Sequence, residues 1–213
     1  MHWSVIWQYR SALWDGLILT VELSALSIAG SLSVGTVIGS LGAGSGFFLP
    51  RFARAYIELL RNIPVVVKVF FFYFVVGLDA FPSGVIALTT HQSAYIADVV
   101  ASGFRSIARE QFEGARVLGH SYWEILRFIL LPQVFRLINP PLTNQLIEVV
   151  KNSSVVMMVG VEELTFRTQQ IESETFRGFE AATAVTVLYL IITLVVATAM
   201  SFLQRRWRHT GMQ

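Results

Sequence analysis

The 213-residue sequence contains no cysteine, so disulfides, thiolate metal ligands and cysteine nucleophiles are all excluded. Charged residues are also scarce. They make up 14% of the chain, while hydrophobic residues make up 54%; an ordinary soluble domain has about 25% charged residues. The net charge of +2 is too small to indicate a nucleic-acid partner. These deficits argue against a soluble enzyme core and favour an integral membrane protein.

Sequence motifs of catalysis are missing as well. There is no HExxH motif, no nucleophile elbow and no phosphate-binding loop, and the four histidines are scattered. The sequence therefore predicts no catalytic residue, no metal site and no cofactor in this chain. Any nucleotide energy that the protein uses must come from a partner.

Five stretches are long enough to cross a hydrocarbon core of about 30 Å as helices. The first and fifth are the most apolar, and the second contains Pro64 and Lys68 before an apolar run. The third and fourth contain ionisable residues, so they should face a protein interior or a wet cavity. The predicted fold is an all-α integral membrane protein, with a single transmembrane domain over 1–213 and five transmembrane helices at about 16–41, 55–78, 84–104, 142–161 and 181–203.

The distribution of basic residues predicts the orientation. With the N-terminus outside and the C-terminus in the cytoplasm, the cytoplasmic segments contain eleven of the sixteen lysines and arginines. The outside connection at 162–180 contains five glutamates and two arginines. Trp3, Trp7 and Trp14 precede the first span, as expected of an interfacial aromatic belt.

The longest polar interval, residues 105–133, lies between the third and fourth spans and is called the coupling loop below. Apolar residues recur in it at helical spacing until Gly119, which predicts a short amphipathic helix, a break and a second helical segment leading to Pro132. Such an element either lies on the bilayer surface or docks a soluble partner, and periodicity alone leaves both open.

The run EGARVLGHSYWEILRFILLP, which starts at Glu113, resembles the EAA loop of permease subunits of ATP-binding-cassette importers. An acid, small residues, a glycine, an isoleucine and a Leu-Pro pair stand at the family's spacings. Gly114 departs from the usual alanine, which lowers helix propensity by up to about 1 kcal/mol. The resemblance implies that the ATPase-coupling residues are Glu113, Gly114, Ala115, Arg116, Leu118, Gly119, Ile129 and Pro132.

The resemblance to the polar amino-acid branch of these permeases covers nearly the whole chain, including DGLILTVELS, QSAYIADVV, PPLTNQ and KNSSVV. It implies a multi-pass protein of the bacterial inner membrane that imports a polar or charged amino acid by alternating access. The implied partners are a second permease chain, identical or related, two ATP-binding subunits that hold ATP and magnesium, an external substrate-binding protein and membrane lipid. At Lys68 this branch commonly has glutamine.

Polar residues of the second, third and fourth spans are the candidate substrate pathway. They are Lys68, Gln92, Ser93, Tyr95, Asp98, Asn144, Glu148, Lys151 and Asn152. Such groups can bind the ammonium and carboxylate of an amino acid. Glu148 and Lys151, three apart on one helix face, could equally form a structural ion pair. Lys68 could snorkel, pair with Asp98 or meet a substrate carboxylate, and His91 is expected to be a bonded interior histidine.

The sequence does not identify the amino acid. Lys68 favours an acidic substrate, whereas Asp98 and Glu148 favour a basic one. Two other classes of function are also considered. An ion-gradient-driven carrier or channel would titrate Asp98 or His91 during transport and would need no ATPase. A scaffold that only recruits a soluble protein would tolerate apolar residues at Asp98 and Lys68.

Overall fold

The computed structural model describes residues 2–44 and 46–209, without the side chains of residues 206–209. Arginines at 206 and 208, which contribute to the predicted orientation, therefore have no described side chains. Every regular element in the described part of the chain is a helix, which confirms the predicted all-helical class. In chain order the helices are α1 (Ser4–Gln8), α2 (Arg10–Ala43), α3 (Phe48–Arg61), α4 (Val65–Phe70), α5 (Ala80–Arg105), α6 (Arg109–Val117), α7 (Tyr122–Glu124), α8 (Leu131–Asn152), α9 (Leu164–Thr175) and α10 (Gly178–His209).

Two helices of the described chain are long and apolar enough to cross a membrane, namely Arg10–Ala43 and the Gly178–Arg205 part of α10. Both extend beyond the first and fifth predicted spans. Three shorter helical segments continue neighbouring helices. They are the π-helical segments Phe71–Val75 and Ile125–Leu130, and the 3-10 segment Ser153–Val159. Because the second of these joins α7 to α8, the fourth predicted span belongs to a much longer helical stretch.

The second predicted span is broken in the middle rather than continuous. Pro64 cannot donate a backbone hydrogen bond and disfavours a helical conformation in the residue before it, so α3 ends and α4 begins around it. Two side chains satisfy carbonyls that the break leaves free. The Lys68 ammonium donates to the Leu60 carbonyl at 2.5 Å, and the Asn62 amide donates to the Glu58 carbonyl at 2.7 Å.

The most extensive helix packing joins α2 to α5. A Cβ atom added at Gly35 would lie 2.7 Å from the Ile96 side chain, and one at Gly39 would lie 2.6 Å from the Ala97 carbonyl oxygen. Neither position has room for any side chain. The GxxxG spacing of Gly35 and Gly39 therefore serves helix packing within the chain.

The connection at 162–180 contains a helix, α9, that the sequence analysis did not predict. The buried Glu163 carboxylate starts it by accepting from the Phe166 N–H at 3.0 Å, and it also accepts from the Tyr189 hydroxyl of α10. The Thr20 hydroxyl of α2 accepts from the Leu164 N–H at 3.1 Å. Desolvation raises the pKa of the Glu163 carboxyl. These bonds fix the first turn of α9 against α2 and α10.

Within the coupling loop, α6 ends just before a turn at Gly119. The φ of Gly119 is +89°, a left-handed conformation that favours glycine. Ser121 and Glu124 then form a capping box: the serine hydroxyl accepts from the Glu124 N–H, and the glutamate accepts from the Ser121 N–H at 2.7 Å. The chain thus contains a short helix, a break at glycine and a second helix that runs into α8.

Candidate functional site

Asp98 lies on α5 opposite the end of α3. Its carboxylate forms an ion pair with the Arg61 guanidinium at 2.6 Å, and Arg105 is more distant at 3.9 Å. The same Arg61 guanidinium stacks 4.9 Å from the centre of the Tyr95 ring. The sequence analysis did not single out Arg61. The sequence feature that could have indicated Arg61 is its position in the last turn of α3, two residues before the Ile-Pro pair.

Lys68 is only 5% exposed and lies inside the chain. Besides the Leu60 carbonyl, its ammonium contacts the Nδ1 atom of His91 at 3.0 Å. Since an ammonium can only donate, Nδ1 is the acceptor in this bond. Lys68 thus neither snorkels nor pairs with Asp98 in this structure, and His91 is a bonded interior histidine.

Gln92 and Ser93, also expected in the pathway, hold helices together. The Gln92 amide donates to the Gln145 side-chain oxygen of α8 at 2.5 Å. The Ser93 and Tyr56 hydroxyls are 2.7 Å apart, which links α5 to α3. Both α5 side chains are buried. The sequence analysis did not identify Tyr56 and Gln145, because their roles depend on hydrogen bonds to distant residues that only the structure reveals.

The polar residues of α8 are arranged differently, because they lie on an open face. Asn144, Glu148 and Lys151 follow one another at helical spacing, and we call this surface the open polar face. Lys151 and Glu148 form an ion pair at 2.9 Å, with their side chains 57% and 44% exposed. The opposite side of α8, with Val149, is buried, and Asn152 is half-buried.

The expected pathway residues do not converge on one pocket. The Gln92–Gln145 bond places these two residues at the same depth in the helix pair. At about 1.5 Å per residue, Asp98 lies about 9 Å from that level along α5, and Lys151 about 9 Å from it along α8. Since the two helices run in opposite directions, the two ion pairs are separated along the bundle by about 18 Å.

The coupling residues of α6 lie on two sides of that helix. Val117 and Leu118 are 88% and 80% exposed, and a Cβ atom at Gly114 would meet nothing within 4 Å. Glu113, also exposed, forms an ion pair with Arg109 at 2.8 Å. This outward surface combines an acid with large apolar side chains.

Among the remaining residues expected to couple, Ala115 is buried, whereas Arg116 is exposed and extends toward the Phe112 ring. Pro132 is the second residue of α8, directly after the π-helical segment Ile125–Leu130. One residue stiffens this region that the sequence analysis did not identify: the Gln133 amide donates both to the Gln111 side chain at 2.7 Å and to the Ile129 carbonyl at 2.8 Å.

The described residues contain no cluster of three or more His, Asp or Glu side chains that could hold a metal ion. Apolar spanning helices, polar helices between them and an exposed short helix instead define a membrane transport component. The chain belongs to the family described as binding-protein-dependent transport system inner membrane component, which matches residues 35–209.

Curated relatives resemble the chain over almost its whole length. The glutamine transport system permease protein GlnP of Escherichia coli (strain K12) is 36% identical, and the match covers 97% of each chain. The probable glutamine ABC transporter permease protein GlnM of Bacillus subtilis (strain 168) is 32% identical, with 97% of this chain and 98% of that protein covered. The glutamate/aspartate import permease protein GltJ of Escherichia coli (strain K12) is 25% identical, with 95% and 90% covered.

Solved structures give the same picture of the fold. A crystal structure of an amino acid ABC transporter with histidines superposes with a TM-score of 0.87 at 29% identity, covering 97% of this chain and 99% of that one. An inward-facing structure of the MetNI methionine ABC transporter superposes with a TM-score of 0.78 at 21% identity, covering 94% and 98%. The second likeness concerns the fold alone.

Proposed function

We propose that this chain is the permease subunit of an ATP-driven importer that moves a polar or charged amino acid across the bacterial inner membrane by alternating access. The observation that carries the proposal is the similarity to a glutamine permease over 97% of both chains. The family, whose description names an inner membrane component, supports the location. Glutamine is the substrate to test first, because two of the relatives above are named for it.

In the proposed topology the chain crosses the membrane five times, with the N-terminus outside and the C-terminus in the cytoplasm. The spans are α2, the broken α3–α4 pair with its π-helical extension, α5, the helical stretch ending in α8, and α10. The coupling loop then lies in the cytoplasm and α9 lies outside. The arginines around α6 and the glutamates around α9 support this assignment.

A second permease chain, identical or related, is proposed to cover the open polar face. Glu148 and Lys151 are about half exposed on a helix that we place in the bilayer. A charge at the bilayer centre costs at least about 2.5 to 3.5 kcal/mol when it faces lipid. Another protein surface, or a watery pathway between two chains, would remove that cost.

The substrate is proposed to bind along this covered face and beside Asp98. On the open polar face its ammonium group would meet Glu148 and its carboxylate would meet Lys151. Asp98 and Arg61, about 18 Å away along the bundle, would form a separate polar station on the pathway. Lys68 contributes less to this proposal than the sequence suggested, because two protein groups already occupy its ammonium.

Coupling is proposed to run through the outward surface of α6. Two partner ATPases, which would hold ATP and magnesium, would each contact Val117, Leu118 and Glu113 of one permease chain, while an external binding protein delivers the amino acid. The bond from Gln133 to Gln111 ties α6 to the start of α8, so a push on α6 would reach the pathway helix without being absorbed by the loop.

Reconstituted transport tests the proposal. The full-length chain, its partner ATPase and binding protein are placed in proteoliposomes, and glutamine uptake is measured with and without ATP. Leu118→Glu should lower ATP-dependent uptake at least about tenfold, because it puts a charge into an apolar contact. Trp123→Glu is the matched control, since Trp123 is equally exposed on the same loop but outside the proposed contact.

Uptake that persists without the ATPase and follows the membrane potential would contradict the proposal and favour the ion-gradient carrier. The ion pair of Asp98 with Arg61 and the bond of His91 to Lys68 give that alternative little support, because both groups are already engaged. Unchanged activity after Asp98→Leu together with Lys68→Leu would instead favour the scaffold.

The orientation has its own test, because the chain contains no cysteine that would compete with a label. Phe176→Cys lies after α9 at a residue that is 92% exposed, and Leu118→Cys lies after α6. In intact cells a membrane-impermeant maleimide should label position 176 at once and position 118 only after permeabilisation. The reverse result would reject the proposed orientation.

A further inference from the structure

A cavity of about 920 Å³ lies on the inner side of the coupling loop. It is bounded by the end of α2 around Ser40, by the end of α5 around Phe104, by α6 and by the helical turns that lead into α8. The substrate pathway residues do not line it. It is therefore separate from the polar groups on α5 and α8.

The cavity lining combines two kinds of surface. Apolar side chains form most of the wall, including Phe112, Leu126 and Leu130. Arg109 and Arg116 contribute the charged part, His120 adds a polar ring, and no acidic side chain lines the cavity. A ligand that matches both surfaces has an apolar body and an anionic group.

Among the basic groups, Arg116 is the strongest candidate for binding an anion. Arg109 is paired with Glu113 at 2.8 Å, and His120 lies 4.0 Å from Glu124. Arg116 instead has its guanidinium 6.0 Å from the centre of the Phe112 ring. A guanidinium can bind a phosphate with two parallel hydrogen bonds.

This cavity is also distinct from the proposed ATPase contact. Arg109, Phe112 and Arg116 are spaced three and four residues apart, so they share one face of α6. Glu110, Gly114 and Val117 share another face, turned by about 130° from the first, and Glu113 lies between the two faces. An ATPase bound to the second face would leave the cavity accessible from the side.

We propose that this cavity binds an anionic phospholipid, with the phosphate at Arg116 and an acyl chain along the apolar wall. The inference rests on the topology given under Proposed function, which places the end of α2 at the cytoplasmic surface of the bilayer, where phospholipid headgroups lie. A lipid held there contacts the coupling loop and the ends of two spanning helices at once.

Lipid retention tests the proposal without any transport measurement. The full-length permease, purified with its ATPase in mild detergent, is mixed with phosphatidylglycerol or phosphatidylcholine, and bound lipids are counted by native mass spectrometry. We expect phosphatidylglycerol to be retained at least about tenfold better, because only its headgroup has a net negative charge. Arg116→Gln should abolish that preference and Arg116→Lys should keep part of it.

Arg127→Gln is the matched control, because Arg127 is an exposed arginine of the same loop that does not line the cavity. It should retain phosphatidylglycerol like the unaltered chain. Equal retention of the two lipids, or an unchanged preference in Arg116→Gln, would overturn the proposal. Displacement of phosphatidylglycerol by equimolar glycerol 1-phosphate would overturn it too, because the site would then bind a free anion. A permease that retains lipid but imports no polar or charged amino acid would contradict the transport function alone.

Discussion

The α2–α5 interface and the open polar face of α8 both contain polar residues of helices proposed to cross the membrane. The two surfaces differ in the size of these side chains and in how far they are buried. On the buried side of α2 the polar side chains are small. Thr20 and Ser31 donate to carbonyls of their own helix, and the neighbouring glycines let α5 approach closely. On α8 the side chains are long and charged, and they remain half exposed. One interface is formed within the chain, whereas we propose that the other is covered by a second chain.

The largest expected effect breaks the complete interface. Gly35→Val would place a branched side chain against Ile96 and against the Ser93 carbonyl oxygen, which is 2.8 Å from the added Cβ atom. Because backbone cannot move aside like a flexible side chain, we expect destabilisation at the upper end of about 1 to 3 kcal/mol. Thermal unfolding of the detergent-solubilised protein, together with its yield in the membrane, measures this.

Gly114→Ala is the control for that change. Its added Cβ atom meets nothing within 4 Å, and alanine favours a helix over glycine by up to about 1 kcal/mol. The variant should be as stable as the unaltered chain or slightly more stable. If Gly35→Val were equally well tolerated, the α2–α5 contact would be looser than the structure shows.

The next experiment sharpens the open side of the comparison by asking whether Glu148 and Lys151 serve each other or a substrate. Glu148→Lys or Lys151→Glu alone should reduce uptake at least about tenfold, because each leaves two like charges side by side. The double variant with the charges exchanged should regain uptake if the pair is structural. If both charges bind substrate, uptake should stay low in the double variant while folding is normal.

A smaller effect on stability is expected at the first turn of α9, where it packs against α2 and α10. Glu163 is buried, and its folded pKa is raised above the ordinary value of about 4.3. Its contribution to stability is therefore fully present below that ordinary pKa and is lost as the pH rises through the folded pKa. Glu163→Gln should remove this dependence, so the variant should gain stability relative to the unaltered chain from acid to neutral pH.

Thermal unfolding between pH 4.5 and pH 8 provides the measurement. Glu162→Gln is the matched control, because the exposed Glu162 is the neighbouring acid and pairs with Arg167 at the surface. It should leave the Glu163 pH dependence in place. If thermal unfolding of the two variants depended on pH in the same way, the buried Glu163 carboxyl would not be the source of this pH dependence.

The sequence alone predicted the helical class and those features that depend on local residue patterns and hydropathy. The break at Gly119 lies where the sequence places it, because a glycine with positive φ is a local signal. His91 also proved to be a bonded interior histidine. The family resemblance agreed with the match over residues 35–209. In each of these cases the signal lies within a few residues of the feature or in a spaced motif.

Contacts between distant elements were not predictable in the same way. The Asp98 partner, Arg61, is 37 positions earlier in the chain, and the Gln92 partner, Gln145, is 53 positions later. Nothing in the composition of either segment distinguishes these partners from other polar residues nearby. The same limit applies to α9, whose first turn depends on Glu163 bonding to Tyr189 of another helix. Three-dimensional packing decided these features.

The smallest expected effect lies between the two regions, at the capping box that starts the helix leading into α8. Ser121→Ala removes a hydroxyl that accepts from the Glu124 N–H and donates to the Glu124 carboxylate. Bonds from Ser121 lower the pKa of Glu124, so their contribution is present at neutral pH and is lost as the pH falls through the folded pKa. At pH 7 amide exchange in this first turn should become about fivefold faster.

Ser102→Ala is the control, because it removes a hydroxyl that caps no helix, and it should leave that exchange unchanged. Because the proposed coupling requires this turn to stay intact, an unaltered exchange rate in Ser121→Ala would place the stiffness of the loop elsewhere, in the bond that joins Gln133 of α8 to Gln111 of α6.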